Sequence, residues 1–151
     1  MDRQQHIKLA LTEDQYKKDI TTKILQLDKK CKAIIKAKES FHIYGLKWFS
    51  DVFKSVNKST KIKLKVKDGD FVRKNKIIGE IYGTNHALLN SERVALNYLQ
   101  TMSGTYDKCV RFRKKISNKK IQLLHTRKTI PLYRLPLSEA CNAAGCAPHR
   151  Y

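Results

Sequence analysis

From about His86 to about Ile116, apolar side chains keep returning to one side of a single helix: Leu88, Leu89, Ala95, Leu96, Leu99, Met102, Tyr106, Cys109 and Val110. A stripe of that length has to be laid against something, so the remaining segments must supply a matching apolar surface. Gly104 lies inside the pattern. An interior glycine disfavours a helix by roughly 1 kcal/mol, which predicts a close contact or a break there.

The flanking segments offer that surface. His6 to Leu11 carries a weak helical pattern that stops at Thr12, where Glu13 and Asp14 suit a helix boundary or a turn, and the polar Gln15 to Lys18 then leads into Asp19-Ile20-Thr21-Thr22. Cys31 to Lys38 alternates around Ile34-Ile35 and reads as a strand. Gly45 to Val56 places Leu46, Phe49, Val52, Phe53 and Val56 at helical spacing, with Trp48 on the flank. Lys61 to Val66 alternates strictly, with Ile62, Leu64 and Val66 on one face, before the turn Asp68-Gly69-Asp70. Phe71-Val72 and Ile77 to Tyr82 continue in β character, ended by Gly79 and Gly83.

Beyond the long helix, Asn118 breaks the pattern, and Ile121 to Leu124 reads as a short apolar strand of the kind a buried parallel sheet uses. Thr126 to Leu137 is rich in cations and carries Pro131 and Pro136, and Ser138 to Ala147 has helical composition. This order predicts an α+β unit followed by the opening of an α/β unit.

With 151 residues and 41% hydrophobic content, the chain can bury a sizeable core. Its net charge of +19, from 32 Lys and Arg against 13 Asp and Glu, favours anionic partners of some kind. The lysines are scattered, as in Lys61, Lys63, Lys65 and Lys67, and read as solvated faces rather than one concentrated stripe. Cys31, Cys109, Cys141 and Cys146 include no Cys-x-x-Cys pair, so neither a zinc site nor a disulfide framework is indicated, and reduced packing residues are expected. No apolar run approaches the ~20 residues of a membrane span, and Met1 to Lys8 is too polar for a secretory signal. A cytoplasmic protein is expected.

The side chains that could carry chemistry are cationic. Arg127 and Lys128 follow the Ile121 to Leu124 strand, and in parallel α/β structures ligands bind beyond the carboxyl ends of strands. The arginine fork suits a carboxylate, and lysine suits a phosphate as a compact point charge. Composition alone reads the same loop equally as a solvated turn capped by Thr126 and Thr129. His149-Arg150 is a second cationic pair. Arg93, surrounded by Val94, Ala95 and Leu96, needs a partner, which could be Glu92 or a backbone carbonyl. Arg111 to Lys115 reads as the charged carboxyl end of a helix, where cations complement the dipole, rather than as a nucleic-acid surface. Nucleic acid and membrane partners are not expected. Val66 to Gly83 has the rhythm of lipoyl-carrying modules, but no lysine stands at an evident hairpin tip, so it is taken as scaffold.

Taken together, Asp19-Ile20-Thr21-Thr22, Asp68-Gly69-Asp70, Ser91 to Gln100 with Ser103-Gly104, Thr126-Arg127-Lys128-Thr129 with Pro131, and His149-Arg150 resemble the quinolinate phosphoribosyltransferase (nicotinate-nucleotide pyrophosphorylase) family over nearly the whole chain. The resemblance implies an N-terminal α/β sandwich with its long connecting helix over residues 1–116. It places the first strand, loop and helix of an incomplete α/β barrel over residues 117–151. It implies a pentosyltransferase of NAD biosynthesis that joins quinolinate, or a similar pyridine dicarboxylate, to phosphoribosyl pyrophosphate and releases pyrophosphate and carbon dioxide. It also implies Mg²⁺, and a homodimer in which each sandwich closes the partner's barrel.

Position by position, Arg93 is similar to the arginine that reaches a substrate carboxylate across the dimer. Thr126, Arg127, His149 and Arg150 would line the substrate pocket, and Lys128 is similar to the catalytic lysine beside the phosphoribosyl donor. The Mg²⁺ ligands are expected in a missing C-terminal part, so the 151-residue chain alone is expected to be an inactive fragment. The sequence departs from the family pattern at Lys18 and Leu132, where glycines are usual, and in the shortened run Ala144-Gly145-Cys146. Pro148 ahead of His149-Arg150 is similar instead to the ModD-like branch, pyrophosphorylases associated with molybdenum transport. A non-catalytic truncated product or a basic binding module is the remaining alternative.

Overall fold

The structure is a computed structural model that describes residues 1–16, 29–116, 118 and 120–149. The Asp19 to Thr22 motif and Arg150 therefore lie outside the described residues.

The chain opens with α1 (Arg3–Glu13), started by a reciprocal cap in which the Asp2 carboxylate accepts from the Gln5 amide while the Gln5 side chain accepts from the Asp2 amide. After the segment outside the description come β1 (Lys30–Lys36), β2 (Phe41–His42), α2 (Leu46–Val56), β3 (Lys61–Leu64), β4 (Phe71–Val72) and β5 (Ile77–Thr84). The strands β1, β5 and β3 form an antiparallel sheet in that order, with Ala33 and Ile62 both opposite Ile81. Period-two alternation sorts its faces at Ile81, which is buried, and Glu80, which holds Lys32 and Lys65 at 3.3 and 2.9 Å on the outer side. Ile78 is buried as well, where the register with β1 shifts between Ile35 and Lys36. The alternating lysines of β3 are thus one solvated face, as their spacing predicts. The smaller pair of β2 and β4 joins Phe41 to Val72 and His42 to Phe71.

Helix α3 (Asn85–Lys115) leaves β5 directly, capped by the Thr84 hydroxyl, which accepts from the Ala87 amide at 3.3 Å. Its buried stripe of Val94, Ala95, Tyr98, Leu99 and Met102 meets Trp48, Phe49, Val52 and Phe53 of α2, with Ile7 and Leu11 of α1 in the same core. Gly45 makes the contact between α2 and α3 close: its φ is +100°, and a Cβ there would sit 3.0 Å from the Met102 side chain. Gly104 has no such role. The helix runs through it unbroken, and a Cβ would meet nothing within 4 Å, so the predicted contact or break is absent. Thirty-one helical residues, braced along the stripe, absorb one unfavourable residue.

The last elements are β6 (Leu124–His125), α4 (Arg134–Ala143) and β7 (Ala147–Pro148). They form a parallel β-α-β unit in which Leu124 faces Ala147 and His125 faces Pro148. Helix α4 packs on α3 through Ala140, which is fully buried. Here the structure corrects the sequence reading twice. The strand is two residues long and not buried, with Ile121 and Leu124 59% and 46% exposed, because Gln122 interrupts the apolar run and no described element covers that face. The helix also starts earlier than Ser138. Pro136 is tolerated in its first turn, where amides have no intrahelical acceptor. It ends at Gly145, whose φ of +81° lets the Cys146 amide reach back to the Cys141 carbonyl at 2.9 Å and its own amide to Asn142 at 2.8 Å.

Candidate active site

Both parallel strands deliver their carboxyl ends to one place. The Ala147 amide donates to the Leu123 carbonyl at 2.9 Å and the His149 amide to the His125 carbonyl at 3.2 Å, so the residues after β6 and after β7 lie side by side. Between them is a concavity of about 500 Å³ lined by Leu124, His125, Thr126, Arg127, Lys128 and His149. Of the side chains singled out from sequence, Thr126, Arg127, Lys128 and His149 are thereby brought together, and all four are exposed.

Local chemistry shapes the rim. The Thr126 hydroxyl accepts from the Lys128 amide at 2.8 Å, and the Thr129 amide donates to the Arg127 carbonyl at 3.1 Å. This tight turn points successive side chains outward, as threonine does when its hydroxyl closes the backbone on itself. The turn expected from the sequence is present at Thr126, and that turn places Arg127 and Lys128 on the lining of the concavity. The backbone then reaches Leu132, which sits at φ +66°. A left-handed conformation costs a side-chain-bearing residue roughly 1–2 kcal/mol.

Two further residues line the concavity, Leu124 and His125, to which the sequence assigned no site role. His125 ends β6, and its Nε2 lies 2.9 Å from Asn142 Oδ1 on α4, which fixes the imidazole against the helix behind the concavity. The available signal was its place as the final strand residue, directly before Thr126. The concavity's electrostatic character is set by Arg127 and Lys128, and among the described residues no carboxylate lines it. Such a surface suits an anion, with Arg127 able to fork a carboxylate or phosphate and Lys128 able to approach as a point charge.

Arg93 is elsewhere. It is not among the lining residues of that concavity, and its Nη1 donates to Asp14 Oδ1 at 2.9 Å, with the arginine side chain 65% exposed. One partner is thus an acidic residue just past α1, because tertiary packing places the end of α1 beside α3. A second ionic group that the sequence did not signal joins Asp107 to the His42 ring at 2.7 Å and to Arg111 Nε at 2.7 Å. It ties β2 to α3. Among the described residues no three His, Cys, Asp or Glu side chains are grouped so as to hold a metal ion.

Comparisons with known proteins agree with this architecture. The family described as "Quinolinate phosphoribosyl transferase, N-terminal domain" matches residues 19–103. The chain is 31% identical over 133 residues to the probable nicotinate-nucleotide pyrophosphorylase [carboxylating] of Bacillus subtilis, an alignment that covers 88% of this chain and 46% of the relative. It is 34% identical over 148 residues to the chloroplastic nicotinate-nucleotide pyrophosphorylase [carboxylating] of Arabidopsis thaliana, covering 95% and 41% of the two chains. Among solved structures, NadC from Streptococcus pyogenes superposes with a TM-score of 0.89 at 32% identity, covering 96% of this chain and 53% of that one. The nicotinate-nucleotide pyrophosphorylase from Ehrlichia chaffeensis gives 0.90 at 29% identity, covering 99% and 55%. The chain spans somewhat less than half the length of these curated relatives.

Proposed function

The chain belongs to the quinolinate phosphoribosyltransferase family, and from that premise we propose that the protein it represents transfers the phosphoribosyl group of phosphoribosyl pyrophosphate to quinolinate. The products would be nicotinate mononucleotide, pyrophosphate and carbon dioxide. The observation that carries the reading is the gathering of Thr126, Arg127, Lys128 and His149 at the carboxyl ends of β6 and β7. That is the position where α/β units bind their ligands.

Each residue has a part that its chemistry fits. Arg127 would fork a quinolinate carboxylate, Lys128 would neutralise the donor's phosphates, and His149 and Arg150 would close the pocket from the β7 side. Cations fixed before the reaction stabilise charge as it develops on the departing pyrophosphate, without reorganising at that moment. Arg93 would serve the pocket of a second subunit in a homodimer. Its support is its exposure and the Asp14 carboxylate, which aims the guanidinium outward from α3. Residues 117–151 would then be the start of the barrel and residues 1–116 the sandwich. Mg²⁺ would accompany the donor's pyrophosphate, and no ligand within this chain is assigned to it. Among the described residues no helix is long and apolar enough to cross a membrane, and a cytoplasmic setting is proposed for the four free thiols.

Titration of the chain with pyrophosphate at physiological ionic strength tests the site. Binding is expected to weaken about tenfold or more in the Arg127→Ala, Lys128→Ala double variant, since a charge-assisted contact contributes roughly 1.5–3 kcal/mol. Equal affinity in the two proteins would overturn the assignment.

A further inference from the structure

The loop that carries Arg127 and Lys128 has few ties to the rest of the molecule. Its hydrogen bonds among the described residues run within itself or to the start of α4: Lys128 to Thr126, Thr129 to Arg127, Tyr133 to Ile130, and Leu137 to Tyr133. One reaches a distant element. The Leu132 carbonyl oxygen faces the Nε2 atom of His6, on α1 at the far end of the sequence.

Three observations make that contact more than packing. Leu132 occupies the left-handed region at φ +66°, where a side-chain-bearing residue needs an outside constraint to remain. Its side chain is 63% exposed and so supplies little of that constraint, which falls to two backbone contacts. One is the turn over Pro131-Leu132, closed by the Tyr133 amide on the Ile130 carbonyl at 3.0 Å; the other is the His6 contact, the one of the two that comes from outside the loop. His6, in turn, is only 4% exposed and is held on every side: Trp48 and Tyr98 meet its ring edge-on at 5.4 and 5.7 Å, and Tyr133 at 6.0 Å. Its other nitrogen, Nδ1, lies 2.6 Å from the Tyr98 hydroxyl. The carbonyl accepts only, so Nε2 carries the proton and donates. In the neutral ring Nδ1 then accepts from Tyr98 O–H, and one tautomer satisfies both contacts.

We propose that His6, oriented by Tyr98, is a positioning residue for the anion-binding loop: its Nε2–H holds the Leu132 carbonyl and thereby keeps Leu132 left-handed and Arg127 and Lys128 facing the concavity. This rests on the reading of that concavity as the phosphate site. The device links α1 and α3 to the β6–α4 loop, so the sandwich core sets the geometry of the cations without touching the ligand. A glycine at position 132 would adopt the same backbone without that help.

The test is a cycle of variants of the full chain, each titrated with inorganic pyrophosphate at fixed ionic strength. His6→Ala is expected to weaken binding about tenfold, the size a lost neutral hydrogen bond carries. Leu132→Gly alone should bind within about twofold of the parent, and His6→Ala combined with Leu132→Gly should recover to that level. Rescue by the loop glycine separates positioning from a general loss of core packing, which a glycine on the surface cannot repair. Should His6→Ala fail to fold, Tyr98→Phe removes only the orienting hydroxyl and is expected to weaken binding about threefold, again with rescue by Leu132→Gly. Unchanged affinity in His6→Ala or in Tyr98→Phe, or a combined variant as weak as its parent single variant, overturns the proposal. Indifference of the parent protein to loss of Arg127 and Lys128 overturns the site reading instead, and the two failures are thereby distinguished.

Discussion

The sandwich of α1–α3 and its sheet differs from the β6–α4–β7 unit most in where each puts its apolar side chains. The sandwich encloses nearly all of the large buried ones, including Trp48, Phe49, Tyr98, Ile81 and Met102, while the second unit adds Pro136, Ala140, Ala144 and Cys146. Exposed large apolar side chains occur in both regions, Leu9, Ile34, Phe71 and Phe112 in the sandwich and Ile121, Leu124, Ile130 and Leu132 in the second unit. What sets the second unit apart is its small buried cluster. One region is held together by its own core; the other borrows its position from the first. The contacts that lend it are specific. Trp48 Nε1 donates to Glu139 Oε2 at 2.6 Å, Tyr98 stacks on Tyr133 at 5.8 Å, and His6 meets Leu132. The cations thus stand on the less self-sufficient region, which keeps them accessible to a ligand.

Removing the strongest shared anchor should break this contrast altogether. Trp48→Ala deletes a fully buried ring and the Glu139 bond together, and a loss of about 3–5 kcal/mol is expected. Denaturant unfolding followed by circular dichroism would show both regions melting together at much lower denaturant; a small shift would mean that α4 does not depend on the sandwich.

A middle-sized effect is confined to the sandwich. Burial opposes ionisation of Asp107, yet hydrogen bonds from the His42 ring and amide and the charge of Arg111 outweigh it, holding the carboxyl below its ordinary value of 3.8. A carboxyl depressed on folding contributes stability fully above its unfolded pKa and loses that contribution as pH falls through the folded value. Asp107→Asn is therefore expected to destabilise by about 1.5–3 kcal/mol at neutral pH, and by progressively less as pH drops below about 4. Urea midpoints measured across that range check it. A pH-independent difference would remove the ionic explanation.

The smallest expected effect falls where the end of α4 meets the last turn of α3. Gly145→Ala forces a methyl-bearing residue to φ +81° at the end of α4 and drives its Cβ into Arg113 Nη1, which must leave the Ala144 carbonyl, for a loss of roughly 1–2 kcal/mol. Amide exchange should quicken at Cys146, which donates to Cys141, and leave α2 untouched. Equal quickening in α2 would show that the two regions unfold as one and would sharpen the comparison into a single cooperative unit.

How legible all this was depends on the range of the interactions concerned. Helix α3, helix α2 and strand β3 were readable because the periods of 3.6 and 2 are written in consecutive residues. Strand β6 was overestimated, since an apolar run reports only the capacity for burial, and nothing described covers Ile121 and Leu124. Helix α4 begins at Arg134 rather than Ser138, since Pro136 fits a first turn whose amides need no intrahelical acceptor and composition does not separate such a turn from a loop. Arg127 and Lys128 were recognisable from their place after a strand. His125 was not, and neither was the Asp14 partner of Arg93, which lies 79 positions away in sequence.

By itself the amino-acid sequence determined the elements, the family resemblance and the residue types of the anion site, because periodicity, turn chemistry and charge are properties of neighbouring residues. Only the tertiary structure decided that the ends of β6 and β7 lie side by side, that Arg93 stands apart from the Arg127 concavity, and that His6 meets the Leu132 carbonyl. Those pairings are long-range. They depend on how helices stack and strands register, and one shared apolar core selects among arrangements that local pattern leaves equivalent.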